Sequence, residues 1–293
     1  MKGASVETAR GDPAAISDAG YPAPAKLNLM LRVTGRRPDG YHLLQTVFRF
    51  IDWSDTLRFR LREDGQITRD YALEGVSPAD DLVLRAAHLL RKAAGVRLGV
   101  EIALDKRLPL GGGLGGGSSD AATTLIVLNR LWGVGFARDR LQRLALELGA
   151  DVPVFILGEP ALGEGIGECL TPVELPAAWY LVLVPPIAVA TGGIFQHPDL
   201  IRDSNPIRIP PFSALHGSND LEPVVCRLYP EVEQHLAWLR KFGPASMTGS
   251  GACVFASFDT EAQARAAHAQ VPGTMRAHVA QGLDRHPLWA MCA

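Results

Sequence analysis

Apolar and polar positions change their period along this chain, and each change marks an element. From Lys26 to Val33 and again from Thr46 to Ile51 the residues are apolar and β-prone, which predicts two strands. Between them stands Thr34-Gly-Arg-Arg-Pro-Asp-Gly-Tyr-His. Its Pro-Asp-Gly core joins a fixed φ to a residue free to take positive φ, which is a turn signal. Asp55 to Arg62 alternates, with Leu57, Phe59 and Leu61 on one face, as a half-buried strand does. Leu82 to Ala94 carries apolar residues at helical spacing and stops before Gly95, a C-cap candidate. Val100 to Leu104 alternates again. Ser119 and Asp120 are expected to cap a helix over 121–131, and Asp139 to Leu148 predicts a further amphipathic helix ending at Gly149.

The second half shows the same mixture at lower contrast. Strands are expected at 180–184, 246–248 and 253–258, helices at 221–227, 231–241 and 260–270, and a proline-rich connection from Pro198 to Pro211. Helices interleave with hairpins rather than in a regular βα repeat, so the predicted class is α+β. A boundary near 165, in Gly163-Glu-Gly-Ile-Gly, would give a first domain over 22–165 and a second over 166–293. Residues 1–21, rich in Ala, Ser, Gly and Asp, are expected to form a disordered tail.

Composition narrows the functional classes. Lys and Arg total 29 against 31 acids, a formal charge of −2, and no basic stripe marks a nucleic-acid partner. No apolar run approaches the ~18 residues of a membrane span. The first twenty residues lack the apolar centre of a secretory signal. Cys169, Cys226, Cys253 and Cys292 are scattered and form no CxxC pair. Neither disulfides nor a structural metal is therefore expected, and a cytoplasmic setting fits reduced thiols.

One segment carries chemistry on its face: Pro109, Leu110, Gly111, Gly112, Gly113, Leu114, Gly115, Gly116, Gly117, Ser118 and Ser119, running into Asp120-Ala-Ala. Residues without Cβ let the backbone approach an anion closely, and the loop opens a helix whose free N–H groups suit phosphate. Gly111, Gly113 and Gly116 satisfy GxGxxG. The ribose-binding acid that a dinucleotide fold needs about 20 residues on is missing, however, because Asn129-Arg-Leu-Trp still belongs to the helix. No GxxxxGK[ST] occurs either. Two readings remain, a loop that cradles the phosphates of ATP and a flexible linker, and the capped helix into which the segment feeds directly argues against the linker.

Pro109 to Ala122 resembles the second signature of the GHMP kinases, the galacto-, homoserine, mevalonate and phosphomevalonate kinase family. Ala23-Pro-Ala-Lys-Leu-Asn-Leu resembles the first signature, and Met247-Thr-Gly-Ser-Gly-Ala-Cys-Val-Phe the third. Pro38-Asp-Gly-Tyr-His-Leu-Leu-Gln-Thr and Leu148-Gly-Ala-Asp-Val-Pro-Val-Phe resemble the branch whose acceptor is a cytidine-diphosphate-linked methylerythritol of isoprenoid biosynthesis. The resemblance implies a ribosomal-protein-S5-like N-terminal domain and a smaller, ferredoxin-like α/β C-terminal domain, with ATP, Mg²⁺ and substrate meeting between them.

The resemblance also distributes roles. It makes Asp151, by itself an ordinary turn or cap residue, the base for the attacking hydroxyl. Lys26 becomes its positioning partner, where the bland alternative is a lysine that snorkels to solvent. Asn28, two residues along the same strand face, is implied to bind substrate. Tyr41 and His42 would stack on the cytosine and read its edge. Thr191 and Phe195 match less closely, since Gly192-Gly193 replaces a more usual proline-containing pattern. Thr248, Gly249, Ser250 and Gly251 would close over the phosphates. Asp81 stands where the family often has an Asn near adenine. Two rival readings remain at this level. One is a phosphomevalonate-type GHMP kinase, against which the Tyr41-His42 pair argues. The other is a non-catalytic nucleotide-binding relative, against which Lys26, Asn28 and Asp151 argue.

Overall fold

The computed structural model describes residues 20–207 and 218–292. Of the expected tail over 1–21, residues 1–19 lie outside the described residues, as does the end of the proline-rich connection, 208–211, whereas Tyr21 is not tail but already opens the first strand. Strand β1 (Tyr21–Arg36) pairs antiparallel with β2 (His42–Arg62) through a tight hairpin at the Pro-Asp-Gly turn, where Gly40 takes φ 93°. The two strands expected at 46–51 and 55–62 are one. Asp52, Ser54 and Asp55 looked like a break, but the two aspartates are satisfied by distant backbone. Asp52 accepts from the Gln281 amide, and the buried Asp55 carboxylate accepts from the amides of Arg107 and Leu108.

β3 (Ile67–Arg69), α1 (Leu82–Ala94), β4 (Gly99–Asp105), α2 (Gly116–Leu131), α3 (Arg138–Leu146) and α4 (Val152–Leu157) complete the first half, with the short pair β5 (Ala161–Glu164) and β6 (Cys169–Pro172) on β2. α1 ends as expected, on Gly95 at φ 66°. α2 begins earlier than its expected cap. Gly115, at φ 71°, precedes the first turn, and Ser119 and Asp120 sit inside the helix. Asp120 is held there by Lys106, whose Nζ lies 2.7 Å from it and 2.5 Å from Asp55.

The second half holds β7 (Trp179–Val184), α5 (Thr191–Gln196), α6 (Glu222–Leu228), α7 (Pro230–Leu239), β8 (Ala245–Met247), β9 (Val254–Phe258), α8 (Glu261–His268) and β10 (Arg276–Leu283). β10, absent from the sequence expectation, pairs along its length with β7 and through Gly282 and Leu283 with β2. It thereby joins both halves in one sheet, ordered β3-β4-β2-β10-β7-β9-β8. Its alternation holds only over Arg276-Ala-His-Val and slips at Ala280-Gln281, which is why the period alone did not show it.

Three apolar clusters hold this together. One lies under α1 to α4 and includes Leu90, Leu125 and Phe155. A second lies under α6 and α7 and includes Leu221, Leu236 and Met247. The third fills the seam, where Leu27 and Met30 of β1 meet Tyr180, Val182 and Phe255. Arg49 pins the same seam: it is almost wholly buried, passes over Gly282 and pairs with Asp284 at 3.2 Å. After β10 the chain returns to the first cluster, to which Leu288 and Cys292 belong. His286 anchors the return. Its amide donates to Gly158 O at 2.8 Å, and its Nδ1 accepts from the Leu288 amide at 3.0 Å.

That histidine gives a pH signature. Burial lowers its pKa to about 3, so the folded protein keeps the ring neutral while the unfolded chain protonates it near 6.5. Stability from this group is complete above ~6.5 and is lost as pH falls towards 3, at most roughly 1.4 kcal/mol per pH unit. His286→Gln is expected to flatten the decline of melting temperature between pH 7 and 4.5. Parallel curves for the two proteins would show that His286 is not the group responsible.

Candidate active site

The glycine loop is shaped by what its carbonyls do. Gly112 O accepts from the Cys253 amide, Gly113 O from Thr248 Oγ1, and Leu114 O from the Lys26 amide. With the carbonyls tied to the β8–β9 loop and to β1, the amides of Gly113, Leu114 and Gly115 donate to no other described group. Those amides and the first turn of α2 are free to cradle an anion. Two glycines there have a steric reason. A Cβ on Gly113 would lie 2.1 Å from Thr248 O, and one on Gly115 would lie 3.1 Å from the Lys26 side chain and from the Phe155 ring.

Lys26 is almost wholly buried, and its charge is answered from several sides. Asp151 Oδ2 lies 3.2 Å from Nζ, Asn28 Oδ1 accepts from it, and the Phe48 ring faces it at 5.7 Å. Asp151 stands at the start of α4, a helix too short to show in the sequence pattern, and its side chain is 39% exposed. Asn28 uses its whole amide in this network, since Nδ2 donates to Thr46 Oγ1 at 2.8 Å and Thr46 in turn donates to Met30 O. Thr248 Oγ1 accepts from the Asn28 amide at 3.0 Å. Lysine, acid, glycine loop and third-signature loop are therefore one hydrogen-bonded unit.

A cleft of about 800 Å³ runs past this unit, lined by Lys26, Asn28, Asp151, residues 109–118 and Gly249 to Gly251 at one part and by Tyr41, His42, Thr191 and Phe195 at another. Two expected residues do not reach its lining. Thr248 is buried as a tie between three segments, and Ser119 is buried beneath the loop with its Oγ unpartnered. Ser250 does line it, with Oγ 2.7 Å from Thr191 Oγ1. Tyr41 is 60% exposed at the hairpin tip. His42, 8% exposed, packs against Phe195 with ring centroids 5.1 Å apart. Burial and then the nearby Arg202 and Arg36 hold the His42 pKa below its usual value, so the ring is neutral at pH 7. Asp81 is spent elsewhere: it caps α1 at the Val83 amide and binds Arg69 and Tyr71.

Sequence reasoning missed Thr46, Arg36 and Arg202 at this site. A lone Thr in an apolar strand and a lone Arg in a proline-rich connection carry no local signal. Only the register of β1 on β2, and the path of the chain after α5, bring them in.

Comparison with known proteins agrees with the geometry. Residues 81–159 match the GHMP kinases N terminal domain and residues 207–277 the GHMP kinases C terminal domain. The chain belongs to the GHMP kinase family and is a small-molecule kinase. It is 61% identical, over 269 residues, to the 4-diphosphocytidyl-2-C-methyl-D-erythritol kinase of Thiobacillus denitrificans, covering 92% of this chain and 97% of that protein. The enzyme of the same name from Nitrosospira multiformis is 59% identical, covering 91% and 92%. A crystal structure of 4-(cytidine 5'-diphospho)-2C-methyl-D-erythritol kinase superimposes with a TM-score of 0.78 at 35% identity, covering 90% of this chain and 99% of that one. A homoserine kinase from Cytophaga hutchinsonii, at 17% identity and a TM-score of 0.66, shares the fold.

The loop geometry predicts a contrast between two glycines of positive φ. Gly113 (φ 75°) faces backbone, whereas Gly133 (φ 65°) has nothing within 4 Å of a would-be Cβ. Gly133→Ala is expected to cost only ~1–2 kcal/mol of left-handed strain, with ATP binding unchanged. Gly113→Ala must displace the loop and is expected to weaken ATP at least ~10-fold, about 1.4 kcal/mol. Equal ATP affinities in the two variants, read by calorimetry, would refute this account of the cradle.

Proposed function

We propose that this cleft transfers the γ-phosphoryl group of ATP to the 2-hydroxyl of 4-diphosphocytidyl-2-C-methyl-D-erythritol, in the non-mevalonate route to isoprenoid precursors. One observation carries the reading: the buried Lys26 with its partly exposed partner Asp151 and the Tyr41-His42 hairpin tip line one cleft with the glycine loop. ATP lays its phosphates on residues 109–118, with Gly249, Ser250 and Gly251 opposite. The acceptor enters with its base between Tyr41 and Phe195 and its sugar alcohol against Asp151.

Phosphoryl transfer depends mostly on positioning and on neutralising charge. Asp151 receives the hydroxyl proton as the oxygen attacks. Lys26 holds that carboxylate in place and offsets charge on the transferring group, while Asn28 fixes the lysine from the other side. The loop amides stabilise the phosphate oxygens from a fixed framework that needs no rearrangement. Mg²⁺ accompanies the nucleotide in this proposal. Among the described residues no three His, Cys, Asp or Glu stand together. This suits an ion held mainly by phosphate oxygens, with the Ser118 hydroxyl and the exposed oxygens of Asp151 as the protein groups within the cleft. The Mg²⁺ would neutralise the charge developing between the β- and γ-phosphates.

The proposal keeps the division near 165, so that both domains contribute to the cleft. It also keeps a cytoplasmic setting without a nucleic-acid partner, in keeping with the −2 net charge and the four cysteines, which are all free. No helix among the described residues is long and apolar enough to cross a membrane.

A coupled ADP-release assay with the cytidylyl substrate tests the reading. The wild-type chain is expected to turn over. Asp151→Asn should retain ATP affinity while kcat falls ~10²–10⁴-fold, the usual contribution of a positioned base. An Asp151→Asn enzyme that keeps more than about a third of the wild-type kcat, far above that ~10²-fold floor, would remove Asp151 from the chemistry.

A further inference from the structure

Arg202 occupies a position that the reading of the cleft leaves unexplained. It lies on the segment after α5 and directs its guanidinium at four acceptors. Nε donates to His42 Nε2 at 3.1 Å, Nη1 to Leu200 O at 2.9 Å, and Nη2 to Phe195 O and His197 O at 3.0 and 2.7 Å. The same side chain thus ties the carbonyl of Phe195 and one nitrogen of His42, and the rings of those two residues pack on each other at an interplanar angle of 30°.

We propose that Arg202 is a specificity-positioning residue, which locks His42 in the Nδ1–H tautomer and so fixes which edge of a pyrimidine the cleft accepts. A guanidinium has donors and no acceptor, so Nε2 must present its lone pair to it. The neutral ring then carries its proton on Nδ1. Among the described residues nothing accepts that proton. A lone donor suits a base edge that offers acceptors. Cytosine presents two in a row, O2 and N3, whereas uracil presents N3–H and would meet the ring donor with a donor. Without Arg202 the ring could expose either nitrogen, and the preference between the two bases would fade. The three carbonyl contacts add a second effect, fixing the backbone that carries the Phe195 ring.

This inference deepens the cytidylyl reading and rests on it for the identity of the base, but the tautomer can be measured without substrate. Long-range ¹H–¹⁵N spectra of the histidine rings, on the free enzyme, are expected to show His42 as Nδ1–H. In Arg202→Met they should move towards Nε2–H, the form that the neutral ring of free histidine favours in water. Arg202→Lys keeps one donor and is expected to restore Nδ1–H. In steady-state kinetics, Arg202→Met should raise the KM for the cytidylyl substrate roughly 10-fold, the loss of one well-placed hydrogen bond. Its kcat and its KM for ATP should hold, and the disadvantage of the uridylyl analogue should shrink. An Nε2–H ring in the free wild-type enzyme, or an unchanged cytidylyl-to-uridylyl ratio in Arg202→Met, overturns the role of Arg202. A wild-type enzyme that holds His42 as Nδ1–H but turns over no cytidylyl substrate instead overturns the reading of the substrate.

Discussion

A buried ammonium sets the terms for this structure. An unpaired charge taken out of water costs several kcal/mol, and Lys26 is only 2% exposed within the central hairpin. The fold must therefore bring it a carboxylate, a hydrogen-bond acceptor and a close lid. Asp151 comes from the start of α4, and Asn28 from one strand repeat along β1. The lid is the glycine loop, whose Leu114 carbonyl takes the lysine's own amide and whose Gly115 leaves room for its methylenes. Each requirement of the lysine is also a requirement of phosphoryl transfer, since the same contacts place the acid, the cation and the phosphate cradle within one cleft.

The two halves of the molecule are joined for the same reason. Thr248 from the β8–β9 loop hydrogen-bonds to Gly113 and to Asn28, so the second half holds the loop that the first half supplies. β10 makes that arrangement rigid by bridging β7 and β2, and Arg49 closes the seam beneath it. At the far part of the cleft the division repeats: the hairpin tip supplies Tyr41 and His42, while α5 and the segment after it supply Phe195 and Arg202. In the proposed function, base recognition and chemistry would both draw on β1 and β2, the hairpin strands between which Tyr41 stands, and the register of one hairpin would set the distance between base and reacting hydroxyl.

Much of this was legible in the chain because it depends on local rules. The Pro-Asp-Gly turn, the α1 stop at Gly95 and the loop from Gly111 to Gly117 are each written within a few residues. What stayed hidden depends on distance in sequence. β2 runs unbroken through Asp52 and Asp55 because the Gln281, Arg107 and Leu108 amides satisfy them, and none of these is a neighbour. α4 is a single apolar run too short to have a period, and β10 alternates imperfectly. Ser119 and Asp120 looked like caps because hydroxyl and carboxylate usually are, but the Lys106–Asp55 pair claims Asp120 and the helix starts at the glycines instead. Candidate residues from the three signatures reached the cleft except Thr248 and Ser119, whose buried positions support the loops rather than line them.

The central claim is that the hairpin tip grips a base while the chemistry lies elsewhere in the cleft, and Tyr41→Ala separates those two roles. Tyr41 is 60% exposed, so its removal leaves the packed clusters intact and the melting temperature should hold. Stacking on a base is worth ~1–3 kcal/mol, so the KM for the cytidylyl substrate is expected to rise roughly 10- to 100-fold. The kcat should change little and the KM for ATP not at all. A folded Tyr41→Ala enzyme with the wild-type KM for the cytidylyl substrate would contradict the account.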